Sequence, residues 1–155
     1  MLELFLRPSL FAHLGITKAI TDGIVKREDL FIASKLWNTY HKKENVFLAA
    51  QRSLEDLNIT YFDLYLVHFP ISLRYVPFDV RYPPGWVYDP HVINPVMEFD
   101  PVPLSETWSA LEELTELGIT KKIGENPLSY TVLFIILQIR LATLKECSNS
   151  SCQAL

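Results

Sequence analysis

The chain has 155 residues, 49% of them hydrophobic and 21% charged, which is enough for one domain and too apolar for a wholly disordered chain. Fourteen basic against eighteen acidic side chains give a formal charge of −4, so no basic field is available to attract a nucleic acid. The two cysteines, Cys147 and Cys152, are too few for a disulfide scaffold and read as free thiols in a terminal segment.

The opening MLELFLRPSLFAHL is apolar but broken by Glu3, Arg7 and Pro8, and lacks the basic-then-apolar order of a signal peptide. The most apolar stretch, Tyr130 to Leu137, is well short of the ~20 residues that span a bilayer. It reads as a buried helix or strand. The expectation is a cytoplasmic chain with no membrane partner and no nucleic-acid partner.

In chain order, Thr17 to Ile24 reads as the end of a helix broken by Asp22-Gly23, followed by a charged turn at Lys26-Arg27-Glu28-Asp29. Leu30 to Ser34 is a short apolar run, the size of a strand buried on both faces, and it runs into Lys35-Leu36-Trp37-Asn38. Glu44 to Leu57 has helical spacing, with Val46, Ala49, Ala50, Ser53, Leu54 and Leu57 on one face and Asn58 as its stop. Phe62 to Val67 is a second strand candidate, ending in His68-Phe69-Pro70.

Residues 71–102 differ in kind. They hold six of the ten prolines, with Pro70 and Pro103 at the borders, together with Trp86 and several tyrosines. A long connection of this composition inside a compact domain is usually functional. Leu104 to Leu117 is again amphipathic, with Leu104, Trp108, Leu111, Leu114 and Thr115 on a face that makes Trp108 a core residue. Pro103 suits its first turn and Gly118 the position past its end. Lys121 to Gly124 reads as a brief third strand.

Strands alternating with helices imply right-handed crossovers and a parallel sheet. Both clear strands turn polar at their carboxyl ends, with Lys35 on one and His68 on the other. In parallel α/β folds that end carries the chemistry. A strand-end lysine is desolvated or held by a carboxylate, and a neutral imidazole can orient a carbonyl or shuttle a proton. Taken singly, each also reads as an ordinary solvated lysine or a satisfied core histidine. Trp37 and Trp86 read either as packing residues or as walls of a pocket.

Several separate blocks resemble the aldo-keto reductases: Asp22 to Ile32, Ser34-Lys35-Leu36-Trp37-Asn38, Asp63 to Pro70, and Pro103 to Trp108. The loop with Val76-Pro77 and Tyr82-Pro83-Pro84-Gly85-Trp86 is most similar to the fungal xylose reductase branch. The resemblance implies an α/β fold, a partial (β/α)8 TIM barrel of about half the full barrel. It divides the chain into a divergent segment 1–15, a partial barrel 16–124 and a divergent tail 125–155. It implies reduction of an aldehyde or aldose with NADP or NAD as cofactor, in which a hydride passes to the carbonyl carbon and a tyrosine gives the proton. A lysine paired with an aspartate tunes that tyrosine, and a histidine orients the substrate. By motif Lys35 is that lysine and His68 that histidine, 33 residues apart. Trp37, Trp86 and His68 would face the substrate, and Asn126 would meet the cofactor through a shifted alignment. The family's aspartate and tyrosine should fall near Met1 and Leu6, where neither residue can serve. The expectation is therefore a catalytically incomplete chain. The alternative is a non-catalytic remnant or an interaction module with an exposed half-barrel face. No metal site is expected.

Overall fold

The computed structural model describes residues 8–125, with side chains from Leu14 onward. Met1, Leu6, Asn126, the apolar stretch 130–137 and both cysteines lie outside the described residues.

The first helix, α1, spans Pro8–Thr21. Proline at the start of a helix loses no intrahelical bond. The helix closes at Gly23, which takes φ 69° while its N–H donates to the Ile20 carbonyl at 3.0 Å. Strand β1 is Ala33–Leu36. Helix α2, Lys43–Leu57, buries Val46, Ala49, Ala50 and Leu54 along one stripe. Asn58 then ends it in the left-handed conformation, φ 51° and ψ 48°, which asparagine tolerates better than most residues. Strand β2 is Leu64–Val67. Helix α3, Leu104–Glu116, follows the long loop and buries Thr107, Ala110, Leu111 and Leu114. Strand β3 is Ile123–Glu125.

The three strands form one parallel sheet in the order β1-β2-β3. Each strand pair is joined by a crossover through a helix, the connection that parallel neighbours require. The core lies between one face of the sheet and the helices, with Leu36, Phe62, Tyr65 and Val67 meeting Val46, Ala50, Leu111 and Leu114. Each of the fully buried leucines contributes roughly 2–3 kcal/mol through burial.

Two sequence expectations need correction. The strand expected over 30–34, buried on both faces, is Ala33–Leu36 and is covered on one face only: Ile32 and Leu36 are buried, whereas Phe31 is 67% exposed and Ala33 and Lys35 are exposed. The cause is position. Among the described residues β1 pairs only with β2, so it is an edge strand, and an apolar run does not reveal which strand is the edge. Trp108, expected in the core, is only half-buried. Its indole N–H donates to Glu112 at 3.0 Å, a partner that a fully buried indole would have to find inside the core.

The amino ends of the strands are fastened by charge. The buried Asp63 accepts from the Ile32 N–H at 2.9 Å, from Arg27 at 3.0 Å and from Lys121 at 2.9 Å. Arg27 also donates to the Leu30 and Tyr61 carbonyls. Burial works against the charge on Asp63, but the Ile32 N–H, Lys121 and Arg27 outweigh it and hold the carboxyl down at about 2.

Candidate active site

The register places Lys35 opposite Leu66 and Leu36 opposite Val67. The His68 N–H continues the ladder by donating to the Leu36 carbonyl at 3.0 Å. Side chains alternate between the faces of a strand. Leu36 and Val67 point into the helix-side core, so Lys35, Trp37 and His68 share the opposite face at the carboxyl ends of neighbouring strands.

Around them the long loop builds an aromatic wall. The rings of Trp37 and His68 lie 5.1 Å apart edge to face, and Trp37 meets Trp86 at 4.9 Å. Phe69 stacks on His68 at 4.3 Å and contacts Trp86 at 5.1 Å. Separations and tilts of this kind are the favourable ones for aromatic pairs. The Trp37 indole N–H donates to the Gly85 carbonyl at 3.4 Å, which ties the wall to the loop. Beside it opens a cleft of about 640 Å³, lined by Lys35, Trp37, Tyr40, His68, Tyr82 and Pro83 among others. That size suits a small ligand.

Partial burial and the nearby Lys35 ammonium both hold His68 below the usual imidazole range. The ring is therefore neutral at neutral pH, with one nitrogen free to donate and the other to accept. Lys35 does not meet the expectation of a desolvated or carboxylate-held lysine. It is exposed, and among the described residues no carboxylate pairs with it. The uncovered face of the edge strand accounts for this. Together the two groups offer a cation and a neutral donor to an oxygen-bearing ligand against an apolar wall, an arrangement suited to polarising a carbonyl.

Of the sequence candidates, Lys35, Trp37, His68 and Trp86 come together here, and Asn126 lies outside the described residues. Phe69 was missed as a wall residue. Its signal was its place directly after His68. Among the described residues Lys35 is the one lysine or arginine lining the cleft, and no group of His, Cys, Asp and Glu with metal-binding geometry occurs. The set fits a carbonyl. It does not fit the phosphates of a dinucleotide, which need several cationic or backbone donors.

A profile of the aldo/keto reductase family matches residues 13–129. A probable NAD(P)H-dependent D-xylose reductase of Aspergillus clavatus is 46% identical over 134 residues, covering 84% of this chain and 39% of that protein. An NAD(P)H-dependent D-xylose reductase of Pachysolen tannophilus is 48% identical, covering 86% and 41%. Among solved structures, the aldose reductase of Schistosoma japonicum superposes with a TM-score of 0.71 at 32% identity, covering 85% of this chain and 41% of that one. A Bombyx mori aldo-keto reductase in complex with NADP gives 0.60 at 34% identity, covering 76% and 32%. The chain belongs to the aldo/keto reductase family, and its sheet and helices are part of an α/β barrel. It spans about two fifths of the length of the curated relatives it matches.

Proposed function

We propose that this chain carries the carbonyl-binding wall of an NAD(P)H-dependent reductase that converts an aldehyde, of the open-chain aldose type, to the alcohol. The reading rests on one observation: a lysine and a neutral histidine on one face at the carboxyl ends of adjacent parallel strands, closed in by Trp37, Phe69 and Trp86. The xylose reductases named above supply the substrate class and the cofactor by similarity. In this reading His68 donates to the carbonyl oxygen and fixes its direction, Lys35 stabilises negative charge developing nearby, and the indoles exclude water from the reacting end. The described residues account for holding a carbonyl and not for holding the dinucleotide, so in this reading these residues bind and orient the substrate and do not by themselves carry turnover.

The test is a titration of the purified chain with xylose and with glyceraldehyde, following tryptophan fluorescence, with NADPH and NADH oxidation measured in parallel. Saturable quenching by the aldoses that is lost in Lys35→Met and His68→Ala is the expected result. No aldose response, or a response unchanged in both variants, refutes the reading.

A second reading rests on a separate observation. Phe31 and Ala33 stand exposed beside the edge of β1 that is unpaired among the described residues, a surface that accepts added strands. Here the chain acts as an interaction module with an open half-barrel face. Cross-linking before and after placing a charge at the edge, Phe31→Glu, distinguishes it: under this reading the variant loses its cross-linked species.

A further inference from the structure

The wall has an anchor at the α2 side of the cleft, where Tyr82 and Asp56 both line it. Tyr82 donates its phenol O–H to Asp56 Oδ2, while Arg52 Nε donates to Asp56 Oδ1 at 2.9 Å. The Arg52 guanidinium lies over the Tyr82 ring at 4.4 Å, a cation–π contact that adds to the bond. Phe78 closes the other side, edge to face with Tyr82 at 5.3 Å. Both Arg52 and Asp56 sit on α2, whose inner stripe is buried in the core, so the anchor point is rigid.

From Tyr82 the chain runs through Pro83-Pro84-Gly85 to Trp86, and this stretch is pinned three times. Arg81 reaches across its base to the Val87 carbonyl. Tyr82 fixes its outer end to Asp56. The Gly85 carbonyl fixes its tip to the Trp37 indole. Two prolines in four residues leave little backbone freedom between the outer anchor and the tip. Displacement at Tyr82 is therefore transmitted to Trp86.

We propose that Tyr82 and Asp56 are positioning residues of the site: their bond, flanked by Arg52, is the latch that holds Trp86 against Trp37 and sets the width of the mouth that an aldose enters. The significance of the mouth rests on the reductase reading above. The latch itself is a property of the ligand-free chain. Burial and the neighbouring Asp56 carboxylate raise the Tyr82 phenol above its ordinary range, so it remains a donor at every working pH.

The test uses Trp108→Phe as background, which removes the remote indole on α3 and leaves Trp37 and Trp86 as the reporters. Their 4.9 Å separation gives a coupled near-UV circular dichroism signal. Tyr82→Phe and Asp56→Ala are each expected to abolish that signal and to increase acrylamide quenching, with far-UV helicity retained. The double variant is expected to go no further than either single one, since both remove the same bond. Asp56→Ala carries the test by itself should Tyr82→Phe not fold, because alanine is the strongest helix former. A near-UV signal unchanged in the folded variants overturns the latch, and so does a lowered melting temperature with the signal intact. All readings are made without aldose or cofactor, so failure of aldose recognition is seen separately, in the titration of the unaltered chain.

Discussion

The two ends of the same three strands are built on opposite principles. At the amino ends Asp63 is saturated, with a backbone N–H, Arg27 and Lys121 all donating to one carboxylate and the Tyr61 ring beneath both cations. At the carboxyl ends Lys35 has no ion-pair partner among the described residues, and His68 touches aromatic rings in place of hydrogen-bonding side chains. One end uses its polar groups to fasten secondary structure together. The other leaves them available to something that arrives. Under the function proposed above, this is the division between a stability face and a chemistry face that parallel barrels show.

The strongest way to break the comparison is Asp63→Asn. It leaves the partly buried Arg27 without its counter-charge, so a loss of about 3–5 kcal/mol is expected, measured by urea denaturation. A cost below about 1 kcal/mol would place this network among ordinary surface pairs.

Acid sharpens the contrast next. Burial holds His41 down at about 4, and its Nε2 has no hydrogen-bond partner among the described residues. The folded state then binds fewer protons than the unfolded one, so stability falls as pH drops from the ordinary 6.5 towards 4, by on the order of 3 kcal/mol. Asp63, depressed to about 2, adds a second loss in the same direction, between its ordinary 3.8 and 2. Melting temperature recorded from pH 8 to pH 2 is expected to fall in two stages, and in His41→Gln the upper stage is expected to shrink to the share that His68, also held below its ordinary range, contributes.

The smallest expected effect lies at the chemistry end. Lys35→Met changes an exposed, unpaired side chain, so a stability change within about 0.5 kcal/mol is expected, alongside loss of the aldose response. A large destabilisation would show that this lysine, too, is structural.

The sequence made the Lys35–His68 end legible because its signal is local. An apolar run that turns polar at Lys35, and another that does so at His68, can each be read within eight residues. The stability end was invisible for the converse reason. Asp63 meets Arg27 across 36 residues and Lys121 across 58, and nothing in the charged turn at Lys26-Arg27-Glu28-Asp29 marks which charge folds inward. The helices were readable from their stripes, and α2 in particular buries Val46, Ala49, Ala50 and Leu54 as the spacing required. On α3 periodicity found the helix but misjudged Trp108, because a wheel reports direction and not depth. The Tyr82–Asp56 contact escaped for the same reason as Asp63: 26 residues separate its members.

The side of β1 left unpaired among the described residues has a last consequence, for handling. Where that side is open, water fills the valence of its amide and carbonyl groups only until another extended backbone competes for them. Such a surface makes the apparent behaviour of the chain a function of how many copies share the tube. Dilution series, and not a single spectrum, are the measure by which its preparations should be judged.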